Sequence, residues 1–172
     1  MSQEDIKIGE KAPVFELDSY NKGKINLEEI FGKQKIVLIF SRYFGCPICQ
    51  LDLKALLERQ SEIESKGATI LYITQSEENV ANEFISKNNI DFPVILSTKD
   101  ELYKDYGLGM MIPEAVKQVR TKFKEAIKMG ITHGEYEGWE KQCPGQFVID
   151  TNGKIIHAEK GWLDIDKIIE VL

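Results

Sequence analysis

Long apolar runs are missing from this sequence. The longest, "KIVLIF" at residues 35–40, is the length of a strand and far short of a bilayer span. An excess of positive charge is missing too: 22 Lys and Arg stand against 28 Asp and Glu, a formal charge of −6. That balance argues against nucleic acid or an anionic membrane as principal partner. The start, "MSQEDIKIGE", lacks the basic residues and apolar core of a secretory signal, which predicts a soluble, cytoplasmic protein. Cysteine is scarce. Cys46, Cys49 and Cys143 do not make a disulfide scaffold, and a reducing compartment disfavours permanent bridges. Repeats, low-complexity tracts and Pro/Ser-rich linkers are also absent. The 172 residues therefore read as one domain, 1–172, with enough apolar content for a core.

What is present is an alternation of strand and helix signals. "APVFEL" (12–17) is extended, and "GKINLEEIFGK" is a strand entering a short helix. "KIVLIF" and "ATILYIT" (68–74) are continuously apolar and β-branched, as strands covered on both faces are. Between them a helix runs from Cys46 to Lys66, with Pro47 in its first turn and Gly67 ending it. Ser76 is the expected cap of the next helix, which turns Val80, Ala81, Phe84 and Ile85 to one side. "FPVIL" (92–96) is a third strand, and "DELYKDYG" is helical. Pro113 opens a helix with Val116, Val119, Phe123, Ala126 and Ile127 as its apolar stripe. "GQFVID" and "KIIHAE" flank "TNG", a hairpin whose Asn152-Gly153 suits a type I′ turn. Asp164 caps a last helix. The order implies an α/β fold with a mixed sheet and helices on both faces.

The chemistry concentrates in "SRYFGCPICQLDL" (41–53). A cysteine where a strand gives way to a helix meets unpaired backbone N–H groups and the positive end of the helix dipole, which favour thiolate. Arg42, four residues earlier, adds positive charge. Cys49 lies one turn deeper, within reach of a disulfide. Redox exchange, metal binding and inert structural thiols all use this spacing. A zinc site needs two more ligands, and Cys143, His133 and His157 form no second tight pair. Redox is the reading taken, with no metal and no cofactor.

The stretch "GEKAPVFELDSYNKGKINLEEIFGKQKIVLIFSRYFGCPICQLDL" and the ending "CPGQFVIDTNGKIIHAEKG" resemble the peroxiredoxin-like branch of the alkyl hydroperoxide reductase/thiol-specific antioxidant (redoxin) family. The resemblance covers most of the chain outside roughly 105–140. It implies a thioredoxin-like fold with an N-terminal β extension and a helical insertion, about 105–142, before the C-terminal hairpin. By the same resemblance, Cys46 followed by Pro47 matches the peroxidatic cysteine and its proline. Where the family carries a threonine three residues before that cysteine and a proline seven before, this chain has Tyr43 and Ile39. Pro144 matches the cis-proline of thioredoxin-like oxidoreductases, a position that would bring Cys143 close to Cys46. The implied activity is reduction of peroxides through a Cys46 sulfenic acid resolved by Cys49, or reduction of protein disulfides through the same two sulfurs. Either route needs an external dithiol reductant, such as a thioredoxin-type protein.

Other features have plainer readings. Cys143 reads as a small buried residue, His133 as a solvated loop histidine, His157 as structural, and Met110 and Met111 as core filler. The aromatics Tyr43, Phe44, Tyr103, Tyr106, Trp139 and Trp162 read as packing. Helix 113–129 carries Lys117, Arg120, Lys122, Lys124 and Lys128, a solvated face or a dock for an acidic reductant or a second subunit of a homodimer. The long 105–142 excursion has the character of a lid, a specificity surface or a dimer contact.

Overall fold

Residues 5–172 are described by a computed structural model. Residues 1–4, part of the acidic start, lie outside the described residues. The chain opens with a two-stranded antiparallel hairpin, β1 (Glu16–Asp18) and β2 (Lys24–Asn26), followed by one helical turn, α1 (Leu27–Ile30). β3 (Lys35–Phe40) leads through a loop into α2 (Pro47–Glu58) and α3 (Gln60–Ser65). Then come β4 (Ala68–Thr74), α4 (Glu78–Asn88), β5 (Val94–Leu96) and α5 (Glu101–Asp105). A long helix, α6 (Pro113–Lys128), precedes the hairpin of β6 (Gly145–Ile149) and β7 (Ile155–Lys160), and α7 (Ile165–Val171) ends the chain. The main sheet has the order β5-β4-β3-β6-β7. Its β3, β4 and β5 are parallel, while β6 and β7 are antiparallel to their neighbours. This is the thioredoxin-like arrangement expected from the resemblance.

The two-residue period of the strands divides the core. Val37 and Ile39 of β3 join Ile70, Tyr72 and Val148 on the face covered by α2, α4 and α7, where Leu53, Leu56, Ala81 and Ile168 pack. Ile36, Leu38 and Phe40 join Leu71, Ile73 and Phe147 on the other face, covered by α1, α5 and the chain near Ala12. Each fully buried aliphatic side chain contributes roughly 1.5–3 kcal/mol through removal from water. β3 is thus held from both sides, and its carboxyl end is a rigid place from which to launch a site. Among the described residues no helix is long and apolar enough to cross a membrane.

Four local expectations are corrected. The helix read as continuous from Cys46 to Lys66 breaks at Arg59, whose N–H bonds the Leu56 carbonyl at 3.1 Å; Gly67 closes the second piece with φ of +80°. Ser76 does not cap α4: its hydroxyl instead accepts the Phe44 N–H at 2.8 Å, tying down the loop after β3. The hairpin turn is not type I′. Asp150 Oδ1 accepts the N–H groups of Asn152 and Lys154, both at 2.9 Å, so Asn152 keeps a negative φ and Gly153 alone is positive, at +82°. Finally, α6 packs on α2 through Ala115, Val119, Lys122 and Ala126, small or slender residues that suit a close approach. The larger members of the expected stripe face solvent: Val116, Phe123 and Ile127 are 55%, 41% and 56% exposed.

Candidate active site

The loop Ser41–Gly45 carries the chain from the end of β3 to the start of α2, and neighbouring elements pin it at every residue. Ser41 donates its N–H to Ile73 and receives the Tyr103 hydroxyl on its carbonyl at 2.5 Å. The Arg42 carbonyl accepts from Thr74 Oγ1 at 2.8 Å and from the Gln75 N–H at 3.2 Å. Cys46 then sits at the N-cap, with φ of −64° and ψ of 123°, and Pro47 takes the first helical position, where its missing N–H costs nothing.

This placement separates the two thiols chemically. The Cys46 sulfur accepts the Cys49 N–H at 3.5 Å and lies 3.8 Å from Arg42 Nη1. Its pKa falls to about 7: the Cys49 thiol donating to it lowers the value most, burial opposes, and Arg42 and the N–H groups of Cys49 and Ile48 add to the lowering. Burial pushes Cys49 well above the ordinary thiol range, and its hydrogen bond to Cys46 and the charge there push it further. One sulfur is therefore a thiolate near neutral pH, and the other is a protonated thiol one helical turn away.

Asp52 follows Cys49 by three residues, so both project from the same side of α2. Both line a cavity of about 10 Å³ with Ser41, Pro144 and Trp162, roughly room for one water. Asp52 accepts from Lys122 Nζ of α6 at 2.6 Å and from the Leu163 N–H at 3.1 Å. Burial raises its pKa against the pull of both partners. Asp52 and the Cys49 thiol thus share the wall of one small cavity.

A strap, residues 131–142, crosses the site. Glu140 accepts from Arg42 Nη2 at 2.9 Å and from the Tyr43 hydroxyl at 2.6 Å. Gly134 donates to the Gly45 carbonyl at 2.9 Å, and Gln50 Nε2 donates to the Thr132 carbonyl at 3.0 Å. Cys46 itself is 3% exposed, packed with Tyr43, Ile48, Cys49, Ala115 and Trp162.

The remaining expectations divide. Arg42, Tyr43 and Pro47 gather around Cys46, and Pro144 lines the Cys49 cavity. The Cys143–Pro144 bond is trans, since no cis peptide occurs among the described residues. Cys143 is buried, but it does not join the cluster of Tyr43, Cys46, Ile48, Cys49, Ala115 and Trp162. The pairing of Met110 with Gln142 carries it to the Gly109–Ile112 segment, where its N–H bonds the Gly109 carbonyl and its sulfur takes the Ile112 N–H. His133 stands in the strap, 3.3 Å from the Tyr43 hydroxyl and stacked on Tyr136. His157 bonds Gln146 on the neighbouring strand. Among the described residues no group of three or more His, Cys, Asp or Glu is placed to hold a metal ion.

Asp52 and Glu140 were missed. Asp52 was legible in principle, as an acid one turn beyond Cys49 on a helix. Glu140 had no signal, because 98 residues separate it from Arg42.

A thiolate with a second thiol a turn behind it is equipment for moving electrons through sulfur. On this sheet it defines a thioredoxin-fold thiol oxidoreductase. Residues 8–158 match the AhpC/TSA family, and the chain belongs to that family. Among its relatives, the thiol-disulfide oxidoreductase ResA of Bacillus thuringiensis subsp. konkukian is 24% identical over 173 residues, covering 99% of this chain and 79% of that protein. A Helicobacter pylori protein assigned as the peroxiredoxin Bcp is 30% identical over 112 residues, 63% of this chain and 72% of its own. The reduced 2-Cys peroxiredoxin of Plasmodium vivax superposes with a TM-score of 0.68 at 16% identity, over 95% of this chain and 93% of its own, a likeness of fold.

Proposed function

We propose that the protein reduces hydroperoxides, with Cys46 as the attacking sulfur and Cys49 as the resolving one. The observation that carries this reading is an activated sulfur that is only 3% exposed, room for a small oxidant rather than a protein surface. The Cys46 thiolate attacks the terminal peroxide oxygen; the O–O bond breaks, leaving Cys46 as sulfenic acid and an alkoxide that takes a proton to become the alcohol. Arg42 faces the charge in this step. Cys49, giving its proton to Asp52, attacks the sulfenic sulfur; water leaves once the hydroxyl is protonated, and a Cys46–Cys49 disulfide remains. An external dithiol, of the kind a thioredoxin-type protein carries, reduces that bond. The balance is one dithiol and one hydroperoxide giving one disulfide, one alcohol and one water.

A second reading, exchange with protein disulfides, is favoured by the ResA likeness along 99% of the chain. The test separates them. Wild type, Cys46→Ser and Cys49→Ser are each given a hydroperoxide or a protein disulfide. Cys46→Ser should lose turnover, and Cys49→Ser should stop at a sulfenic acid that dimedone captures. Full peroxide turnover by Cys46→Ser, or turnover by wild type on protein disulfides alone, would overturn the proposal.

A further inference from the structure

The strap differs in construction from everything else around the site. Thr132, His133, Gly134, Glu135, Tyr136, Gly138, Trp139 and Glu140 are all exposed, so little apolar burial holds it down. Polar contacts do the holding, and they run to the catalytic loop and to the chain after β4: Thr132 to Gln50, Gly134 to Gly45, Glu137 to the Glu77 N–H at 2.7 Å, and Glu140 to Arg42 and Tyr43. Segments with few buried apolar contacts open at the low end of a protein's stability range. Among these contacts Glu140 alone sets one ionised side chain against another. It grips the guanidinium whose other nitrogen, Nη1, faces the Cys46 sulfur at 3.8 Å.

We propose that Glu140 is a specificity-determining residue of this site: its carboxylate latches the strap over Cys46, so that small hydroperoxides reach the sulfur and protein thiols and disulfides wait for the latch to open. The inference rests on the hydroperoxide reading for its substrate, although the latch itself is testable without any turnover. Two consequences follow from the geometry. Neutralising Glu140 frees the strap. It also removes the carboxylate that competes with the Cys46 sulfur for Arg42, so thiolate at Cys46 becomes easier to form. The groups facing Cys46 are otherwise Cys49, the N–H groups of Cys49 and Ile48, the apolar Ala115 and Trp162, and Tyr43, whose hydroxyl exchanges a carboxylate acceptor for an amide one.

Gly134 provides an independent lever. A Cβ at Gly134 would lie 2.9 Å from the Gly45 Cα, so Gly134→Ala pushes the strap off its seat without altering a charge. The experiment compares reduced wild type, Glu140→Gln and Gly134→Ala, each checked for folding by circular dichroism. Alkylation of Cys46 is followed by peptide mass spectrometry with iodoacetamide and with a maleimide carrying a bulky polyethylene glycol chain. The thiolate is titrated by its ultraviolet absorbance. Wild type should strongly prefer the small reagent, and that preference should fall in both variants, in Glu140→Gln by about tenfold, the scale of losing one charge-assisted hydrogen bond. The half-point of the thiolate titration should move down in Glu140→Gln, a shift that a merely structural role for Glu140 would not produce. A size preference within twofold of wild type in both variants, or an upward titration shift in Glu140→Gln, would overturn the latch. Loss of peroxide turnover in wild type would instead remove the substrate assignment and leave the alkylation result standing.

Discussion

At Cys46 the position on the chain and the partners across space do different work. The N-cap position and the N–H of Cys49 come with the helix start, and any cysteine placed there would share them. Arg42 adds a charge at 3.8 Å inside a buried cluster, where it is weakly screened. The thiolate of Cys46 should therefore be present above pH 7 and be lost as pH falls through about 7. The rate of iodoacetamide alkylation, measured from pH 5 to 9, should follow that curve. In Arg42→Met its half-point should move upward, toward the value of about 8.5 for a free cysteine; an unmoved half-point would remove Arg42 from the site's electrostatics. Cys46, Cys49, Pro47 and Arg42 were legible in the sequence because they lie within eight residues on one strand–loop–helix unit, where spacing dictates proximity. Asp52 belongs to the same unit and was overlooked, whereas Glu140 reaches Arg42 only through tertiary folding.

Helix α6 shows how an element can be legible while its orientation is not. Its extent, from Pro113 to Lys128, follows from a proline at its start and a 3.6-residue period. Periodicity finds an apolar face but does not say how much of it is covered, and here the buried side keeps Val119 and Ala126, adds Ala115, and leaves Val116, Phe123 and Ile127 to solvent. Lys122, read as part of a basic surface, turns inward to Asp52 at 2.6 Å. Removing it strands a buried carboxylate, so Lys122→Met should lower stability in urea by about 3 kcal/mol, and the double change with Asp52→Asn should recover much of that. Phe123→Ser, at an exposed position, should stay within about 0.5 kcal/mol of wild type. A large loss at Phe123 with none at Lys122 would mean the helix is rotated.

On the scale of the whole molecule, stability is uneven. β3 lies at the centre of the sheet between two apolar layers, while the β1–β2 hairpin and the strap 131–142 hang at its margins. Native-state hydrogen exchange should find the amides of β3 and β6 opening only with global unfolding. The Gly134 amide, bonded to Gly45, should exchange through a local opening of lower free energy. Equal protection of Gly134 and Leu38 would show the strap to be part of the core rather than a cover on it.

By itself the sequence determined the strands β3 and β4 to the residue, the order of elements that makes a mixed sheet, and the helix start that divides the labour of Cys46 and Cys49. Those features rest on local sterics, hydrogen-bond periodicity and short spacings, which a linear chain displays directly. Tertiary structure alone decided that Ser76 serves the loop after β3 instead of α4, that Cys143 stays apart from the active pair, that α6 turns Phe123 to solvent, and that Glu140 closes over Arg42. Each of these depends on which distant surface arrives to desolvate a group or satisfy its hydrogen bond, and that information is carried by the packed fold rather than by any single stretch of chain.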